Sequence, residues 1–326
     1  MPFLIGTDEA GYGPNLGPLT VTGTLWKVDQ PGINLYEAIN QIVTDHPIAK
    51  RSPSLSSLGP KIFIADSKKV YTSTGTVQNL ETGVLAMLYA ATGQIPQDWM
   101  ELAELICPTH VLKHLPAQAW LSGQSLKLPV KADYDQIRRL GDRFNECCNK
   151  AGVKLMELQC VPVFPPQFNA QVERLGNKAT LLSMATLNIV RRLMDRTDDD
   201  LEVGCDKHGG RSKYVDLIQQ CLTTQPVLVG EETLHVSDYS FREHGRDVFI
   251  KFQAKGESFL PTALASMVSK YMREVFMMIW NDFWQLRIPE IKPTKGYPVD
   301  AKRFKQEIAK VQSELGIKDS SIWRNR

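Results

Sequence analysis

At 326 residues, with 43% hydrophobic and 23% charged content, the chain is long enough to bury one large core or two, which excludes a disordered chain or a small disulfide-dependent fold. Its net charge of +2 gives no overall field that points by itself to a nucleic acid or a membrane surface. Apolar runs such as 85–91 and 275–280 fall far short of the ~20 residues that cross a bilayer. The six cysteines form no Cys-x-x-Cys pair and stand near no His pair at zinc spacing, so they read as reduced thiols, and with no leader before residue 3 a cytoplasmic protein is expected.

The run Phe3, Leu4, Ile5 predicts a first strand that delivers two adjacent carboxylates, Asp8 and Glu9, to a turn built on Gly11 and Gly13. Adjacent strand residues point to opposite faces, so both acids reach one point only if the backbone turns between or just after them. Carboxylates are hard oxygen ligands suited to Mg²⁺ or Mn²⁺; a solvated acidic turn is the plainer reading of the same residues. Leu19, Val21 and Leu25 then alternate with Thr20, Thr22 and Thr24, which predicts a second strand paired with the first. A helix is expected over 33–46, a loop over 51–60 and another apolar run at 62–64.

Asp66 or Ser67 reads as a helix cap followed by Lys68 and Lys69, and Leu80, Val84, Met87, Leu88 and Ala91 mark one face of a helix. Residues 94–132 hold short helical patches broken by prolines, with no chemical motif. A helix over 133–150, a strand over 153–163 and a helix after Pro165–Pro166 follow, the last with Leu182, Ala185, Ile189 and Leu193 on one face. Leu201–Cys205 reads as a strand ending at Asp206, which repeats the geometry of Asp8. A helix at 214–222, β-like runs at 227–229 and 248–252, and a long helix over 262–284 complete the core. Alternating strands and helices favour an α/β domain. The tail 292–326 carries nine Lys or Arg against Asp300, Glu307, Glu314 and Asp319, and reads as a basic helical extension.

In chain order, GTDEAGYGPNLGPL, ADSKKV, NKATLLSM, VGCD, GESFLPTALASMVSKYMRE and KGYP resemble the segments of ribonucleases HII and HIII. The resemblance implies an α/β ribonuclease H-like mixed β-sheet flanked by helices: a catalytic domain over 1–290, inserted segments near 29–60, 94–165 and 218–247, and an extension over 291–326. It also implies an acidic tetrad of Asp8, Glu9, Asp206 and Glu257 holding two Mg²⁺ or Mn²⁺ ions. The activity implied is hydrolysis of the RNA strand of RNA/DNA hybrids or RNA–DNA junctions, leaving a 5′-phosphate and a 3′-hydroxyl. Its substrate contacts map to Gly11, Tyr12, Gly13, Lys68, Lys69, Lys270 and Tyr297.

Tyr12 departs from the family, which has Arg there; a phenol removes a charged donor fork and keeps stacking and one hydroxyl. This leaves two further readings: a nuclease for another structured nucleic acid, or a nucleic-acid-binding scaffold without catalysis. Arg211 and Lys213 are further basic candidates by proximity to Asp206. His208 reads as a structural loop histidine and Cys205 as a buried small hydrophobe.

Overall fold

The computed structural model describes residues 2–47, 59–71 and 76–325. Strands β1 (Phe3–Ala10) and β2 (Leu19–Val28) form the expected antiparallel pair. They are followed by a single helical turn, α1 (Leu35–Ala38), and by a short parallel pair, β3 (Val43–Thr44) and β4 (Ile62–Phe63). The helix expected over 33–46 is thus one turn only. The Asn34 side chain caps it by accepting the Tyr36 N–H, and the β-branched Ile42, Val43 and Thr44 pass into extended backbone. The loop expected over 51–60 lies outside the described residues up to residue 58.

Helix α2 (Ser67–Val70) starts at Asp66, whose carboxylate accepts the Lys68 N–H at 2.7 Å, as the capping signal predicts. Next come α3 (Gln78–Thr92), α4 (Trp99–Ile106), α5 (Thr109–Leu112) and α6 (Tyr134–Ala151). Strand β5 (Val153–Val163) and strand β6 (Leu201–Asp206) fall where the pattern puts them. The one helix expected after Pro165–Pro166 is two, α7 (Pro165–Leu175) and α8 (Lys178–Met194), because Gly176 ends the first in a left-handed conformation and Asn177 caps the second. After α9 (Val215–Cys221) come β7 (Leu228–Glu232), β8 (Val236–Glu243) and β9 (Arg246–Gln253). The pattern does not predict β8, because its buried face is Ser237, Tyr239, Phe241 and Glu243, and only two of those are apolar. The long helix α10 (Leu260–Gln285) and the terminal helices α11 (Pro298–Glu314) and α12 (Asp319–Ile322) close the chain. No helix among the described residues is long and apolar enough to cross a membrane.

The main sheet has the order β5-β2-β1-β6-β9-β8-β7. Strand β2 runs antiparallel to β1 and β5, whereas β1, β6 and β9 are mutually parallel, so the sheet is mixed, as the resemblance implies. Helices cover both faces. The alternation in β2 sorts its side chains between them: Leu19, Val21 and Leu25 join an apolar layer with α8, and the threonines face α10. There Thr20 donates to the Ser269 carbonyl and Thr24 to the Pro261 carbonyl, each at 2.9 Å.

Two glycines let the helices approach closely. A side chain at Gly6 would begin 2.0 Å from the Pro261 carbonyl carbon, and one at Gly23 would begin 2.4 Å from Ile189 Cγ2. The segment 94–132 packs on α10 through Trp120, which meets Phe276 and Trp280 edge-on at 6.2 and 5.4 Å. Buried Glu81 secures its end by accepting the N–H groups of Val130, Lys131 and Ala132, each at 2.7 Å, and the Tyr271 hydroxyl at 2.8 Å.

Gly6→Ala is expected to lose more stability in urea titration than Gly23→Ala, because backbone atoms meet the new methyl at Gly6 and a side chain can yield at Gly23. Overpacking costs of about 1–3 kcal/mol set the scale; a wild-type midpoint for Gly6→Ala would contradict this packing.

Candidate active site

Strands β1 and β6 lie side by side and parallel, with Thr7 opposite Cys205, so the next residues, Asp8 and Asp206, emerge together at the carboxyl ends of the strands. That end of an open α/β sheet is where ligands bind. Strand β1 continues through Ala10, and the chain turns at Gly11 with φ +84°. Asp8 accepts the Glu9 N–H at 2.7 Å. Asp8, Glu9 and Asp206 offer ligand oxygens that all lie within 4.8 Å of one another, which is the grouping a metal ion needs.

Helix α10 supports these acids from below. Ser269 donates to the Asp8 carbonyl at 3.0 Å and shares a second hydrogen bond with the Thr22 hydroxyl at 2.7 Å, while Ser266, which donates to the Ser67 hydroxyl at 3.2 Å, acts to lower the proton affinity of the Asp8 carboxyl. The Gly256 N–H reaches Asp206 at 3.3 Å. These serines escaped the sequence reading, although their spacing of three on a helix could have flagged a polar stripe facing the acids.

Burial, and then the charges of Glu9 and Asp206, push the Asp8 carboxyl well above its usual range. Burial first, then Asp206, pushes Glu9 to about 8, with Lys68 opposing. Asp206 is raised chiefly by burial, against the Gly256 and Lys207 N–H groups and Lys68. Three such carboxylates repel one another when ionised, and a cation relieves that cost. Glu9 Oε2 is also buried with no hydrogen-bond partner. An all-oxygen donor set with an unmet acceptor fits Mg²⁺ or Mn²⁺.

Glu257 stands beside this trio and outside it. It lies in a short 3₁₀ turn, Gly256–Ser258, and its carboxyl is raised by burial, then by Asp66 and Asp206. Asp66 is therefore a further acid at this rim, one that the sequence reading gives only as a helix cap. Lys68 acts on both Glu9 and Asp206, whereas Lys69 points to a separate hollow with Lys61, Gln78 and Asn79. Lys270 pairs with Glu274 at 2.6 Å and sits 4.8 Å from the Tyr71 ring centroid; Lys295 takes the other Glu274 oxygen at 2.6 Å.

The half-buried Tyr12 has the Lys178 ammonium 4.6 Å from its ring centroid. The edge of exposed Tyr297 lies 3.8 Å from where a Gly13 side chain would begin. Gly11 and Gly17 are wrapped by Arg273, a buried residue of α10 that donates to the Pro18 carbonyl at 2.6 Å and the Leu16 carbonyl at 3.2 Å. His208 is buried, its ring held by Ser183 at 2.9 Å and Thr186 at 3.1 Å; burial and Arg211 lower it to about 3, so it serves as a neutral structural clamp. Burial holds the Cys205 thiol up to about 12.

No protein-family model and no curated protein matches the chain. Among solved structures it is similar in fold to ribonucleases HII and HIII. In the PCNA:RNase HII complex from Archaeoglobus fulgidus the match has 14% identity and a TM-score of 0.41, and covers 99% of this chain and 94% of that one. The ribonuclease H2 of Pyrococcus horikoshii OT3 gives 13%, 0.44, 98% and 92%. Bst-RNase HIII in complex with Mn²⁺ gives 13%, 0.42, 99% and 65%. The fold stands on the strand order and the helix layers above, and the site on the carboxylate geometry.

Between the ordinary glutamate value of 4.5 and about 8, the folded protein retains a proton at Glu9 that the unfolded chain releases. Stability contributed there is complete below the lower value and is lost as pH rises through the upper one. In EDTA, Tm should therefore fall from about pH 5 to about pH 8, and Glu9→Gln should flatten that fall. Equal slopes for both proteins would refute the buried, crowded state of Glu9.

Proposed function

We propose that the chain is a divalent-metal-dependent endonuclease that hydrolyses the RNA strand of RNA/DNA hybrids or RNA–DNA junctions. The grouping of Asp8, Glu9 and Asp206 carries this reading, because one buried and two half-buried carboxylates with raised proton affinity have a chemical use as a cation seat. Glu257 and Asp66 extend the acidic rim. In this reading Asp8, Glu9 and Asp206 hold the cations, with Glu257 completing the set. Cations bound there supply Lewis-acid activation of the scissile phosphodiester and of the attacking water, by a two-metal scheme.

The chain's own residues do the rest. Ser269 fixes the Asp8 backbone, the Gly256 N–H fixes Asp206, and Lys68 supplies positive charge beside both Glu9 and Asp206. The loop of Gly11, Tyr12 and Gly13, with Tyr297 against Gly13, is the surface that meets the sugar next to the cleaved bond. Recognition of RNA there requires a contact to the 2′-hydroxyl, which a phenol or a backbone group can make. Lys270 contributes to the strand path as a paired cation at the rim. The Tyr12 phenol favours a second reading, the same hydrolysis on another structured nucleic acid. A scaffold without catalysis is disfavoured by the retained acidic trio.

Labelled RNA/DNA hybrid, a duplex with one ribonucleotide, double-stranded RNA and double-stranded DNA, each with Mg²⁺ or Mn²⁺, test the assignment. Cleavage of a ribonucleotide-containing strand with a 5′-phosphate product is expected. Asp8→Asn should lose more than the 10- to 100-fold typical of residues behind a metal site, while the fold stays intact by circular dichroism. Wild-type turnover by Asp8→Asn, or binding without cleavage of any substrate, would sink the enzyme reading.

The same site should respond to metal alone. Mg²⁺ or Mn²⁺ is expected to raise the Tm of the wild-type protein and to leave Asp8→Asn close to its EDTA value, since a ligand that binds only the folded state stabilises it. Equal shifts in both proteins would place the metal elsewhere.

A further inference from the structure

The loop that carries Tyr12 brings no cation of its own to the acidic cluster, yet two cations from other elements stand against that residue. Lys178, in the first turn of α8, places its ammonium 4.6 Å from the Tyr12 ring centroid. Arg211, in the loop after β6, reaches the same first turn of α8, and the Tyr12 hydroxyl is subject to both the Glu9 and the Arg211 charges. Arg211 donates from Nη2 to the Thr180 hydroxyl at 2.9 Å, and its guanidinium carbon lies 5.9 Å from the Tyr214 ring centroid. Its Nε is buried with no hydrogen-bond partner.

The loop that holds Arg211 is fixed in place. His208 is clamped between Ser183 and Thr186 of α8, its N–H reaches the Tyr214 hydroxyl at 3.1 Å, and the Arg211 N–H returns to the His208 carbonyl at 3.3 Å. A guanidinium held this way has lost little freedom still to lose on binding, and its unmet N–H asks for an acceptor with negative charge. A phosphate matches the planar fork in geometry as well as charge.

We propose that Arg211 and Lys178 form a seat for one backbone phosphate of the bound nucleic-acid strand, across Tyr12 from the acidic cluster. This rests on the nuclease reading above. Tyr12 then acts as the wall between the two anionic subsites: Glu9 and the cluster on one side, the seated phosphate on the other. The seat supplies, from α8 and the β6 loop, the positive charge that the Gly11–Gly13 loop lacks.

The test is equilibrium binding of a fluorescent RNA/DNA duplex by anisotropy over a range of salt, in Ca²⁺, which takes the same oxygen ligands as Mg²⁺. Arg211→Gln and Lys178→Gln should each weaken binding by roughly tenfold, and each should reduce the slope of log K against log salt by up to about 0.9, the value for one lost phosphate contact on a B-form duplex. Because both residues serve one phosphate, the double variant should flatten the slope no further than about that same single unit. Arg211→Lys should recover part of the slope and less of the affinity.

Unchanged affinity and slope in both single variants, beside a wild-type protein that binds and cleaves, would overturn the seat and leave the nuclease reading standing. Weaker binding with an unchanged slope would overturn it too, by showing loss of shape instead of charge. If Arg211→Gln melts early, Lys178→Gln decides alone. A wild-type protein that binds none of the duplexes overturns both readings.

Discussion

Holding three carboxylates within 4.8 Å of one another, near the carboxyl ends of two adjacent strands, is the constraint around which the rest of the molecule is arranged. Repulsion and burial both oppose it, as the raised proton affinities of Asp8, Glu9 and Asp206 record. The parallel register of β1 and β6 enforces it, and the sheet is pinned in turn by helices on both faces. Helix α10 is the main support. It crosses β1 at Gly6, where no side chain would fit, sends Ser269 to the Asp8 carbonyl, and places Ser266, which donates to Ser67, where it lowers the proton affinity of the Asp8 carboxyl. A rigid floor of this kind keeps charged groups from spreading apart, which is what preorganisation of an ion site requires.

The turn after β1 is held by cations that themselves are buried. Arg273 donates to the Leu16, Pro18 and Lys295 carbonyls, and Arg324, near the chain end, donates to the Gly11 carbonyl at 2.7 Å and to that of Pro14. Leu16 also bridges to Trp323, and the Asn15 N–H reaches the Gly296 carbonyl at 2.8 Å. A loop rich in glycine has much conformational entropy to lose, so its shape depends on these outside contacts more than on its own residues. The site therefore draws on both ends of the chain: the acids come from the first strand, and the segment from 294 to 325 shapes the turn beside them.

Much of this was legible in the sequence where the signal is local. The strand that carries Asp8, the strand that ends at Asp206, the Asp66 cap, and the helices at 134–151 and 260–285 follow from period and punctuation. What escaped was carried by partners distant in sequence. The 33–46 segment has a helical look, but Val43 and Thr44 pair with a strand almost twenty residues later. Strand β8 hides because polar residues fill half of its buried face. Among the site residues, Asp8, Glu9 and Asp206 meet, while Glu257 stands at the rim with Asp66 and Lys69 turns to another hollow. Side-chain direction on a one-turn helix such as α2 cannot be read from residue type, since Lys68 and Lys69 are alike in everything except their position around the axis.

The basic tail shows why charge counts along a sequence mislead about surfaces. Its excess of Lys and Arg suggests a solvated patch that attracts phosphates, yet several of those cations are already committed. Arg303 pairs with Asp300 and Glu307, Lys305 with Asp319, and Lys295 with Glu274, each at 2.6 Å. Arg324 is buried beneath the turn, with its guanidinium 4.9 Å from the Phe168 ring centroid. A cation in an internal pair adds little long-range field, because its partner cancels it beyond a few ångströms. The tail's contribution to the site is thus mechanical: α11 and α12 bury Phe304, Ile308 and Ile322 in the main core and thereby fix the arginine that shapes the Gly11–Gly13 turn. The field near the acids comes instead from cations outside the tail, among them Lys68 and Arg211, one beside Glu9 and Asp206 and the other beside Tyr12.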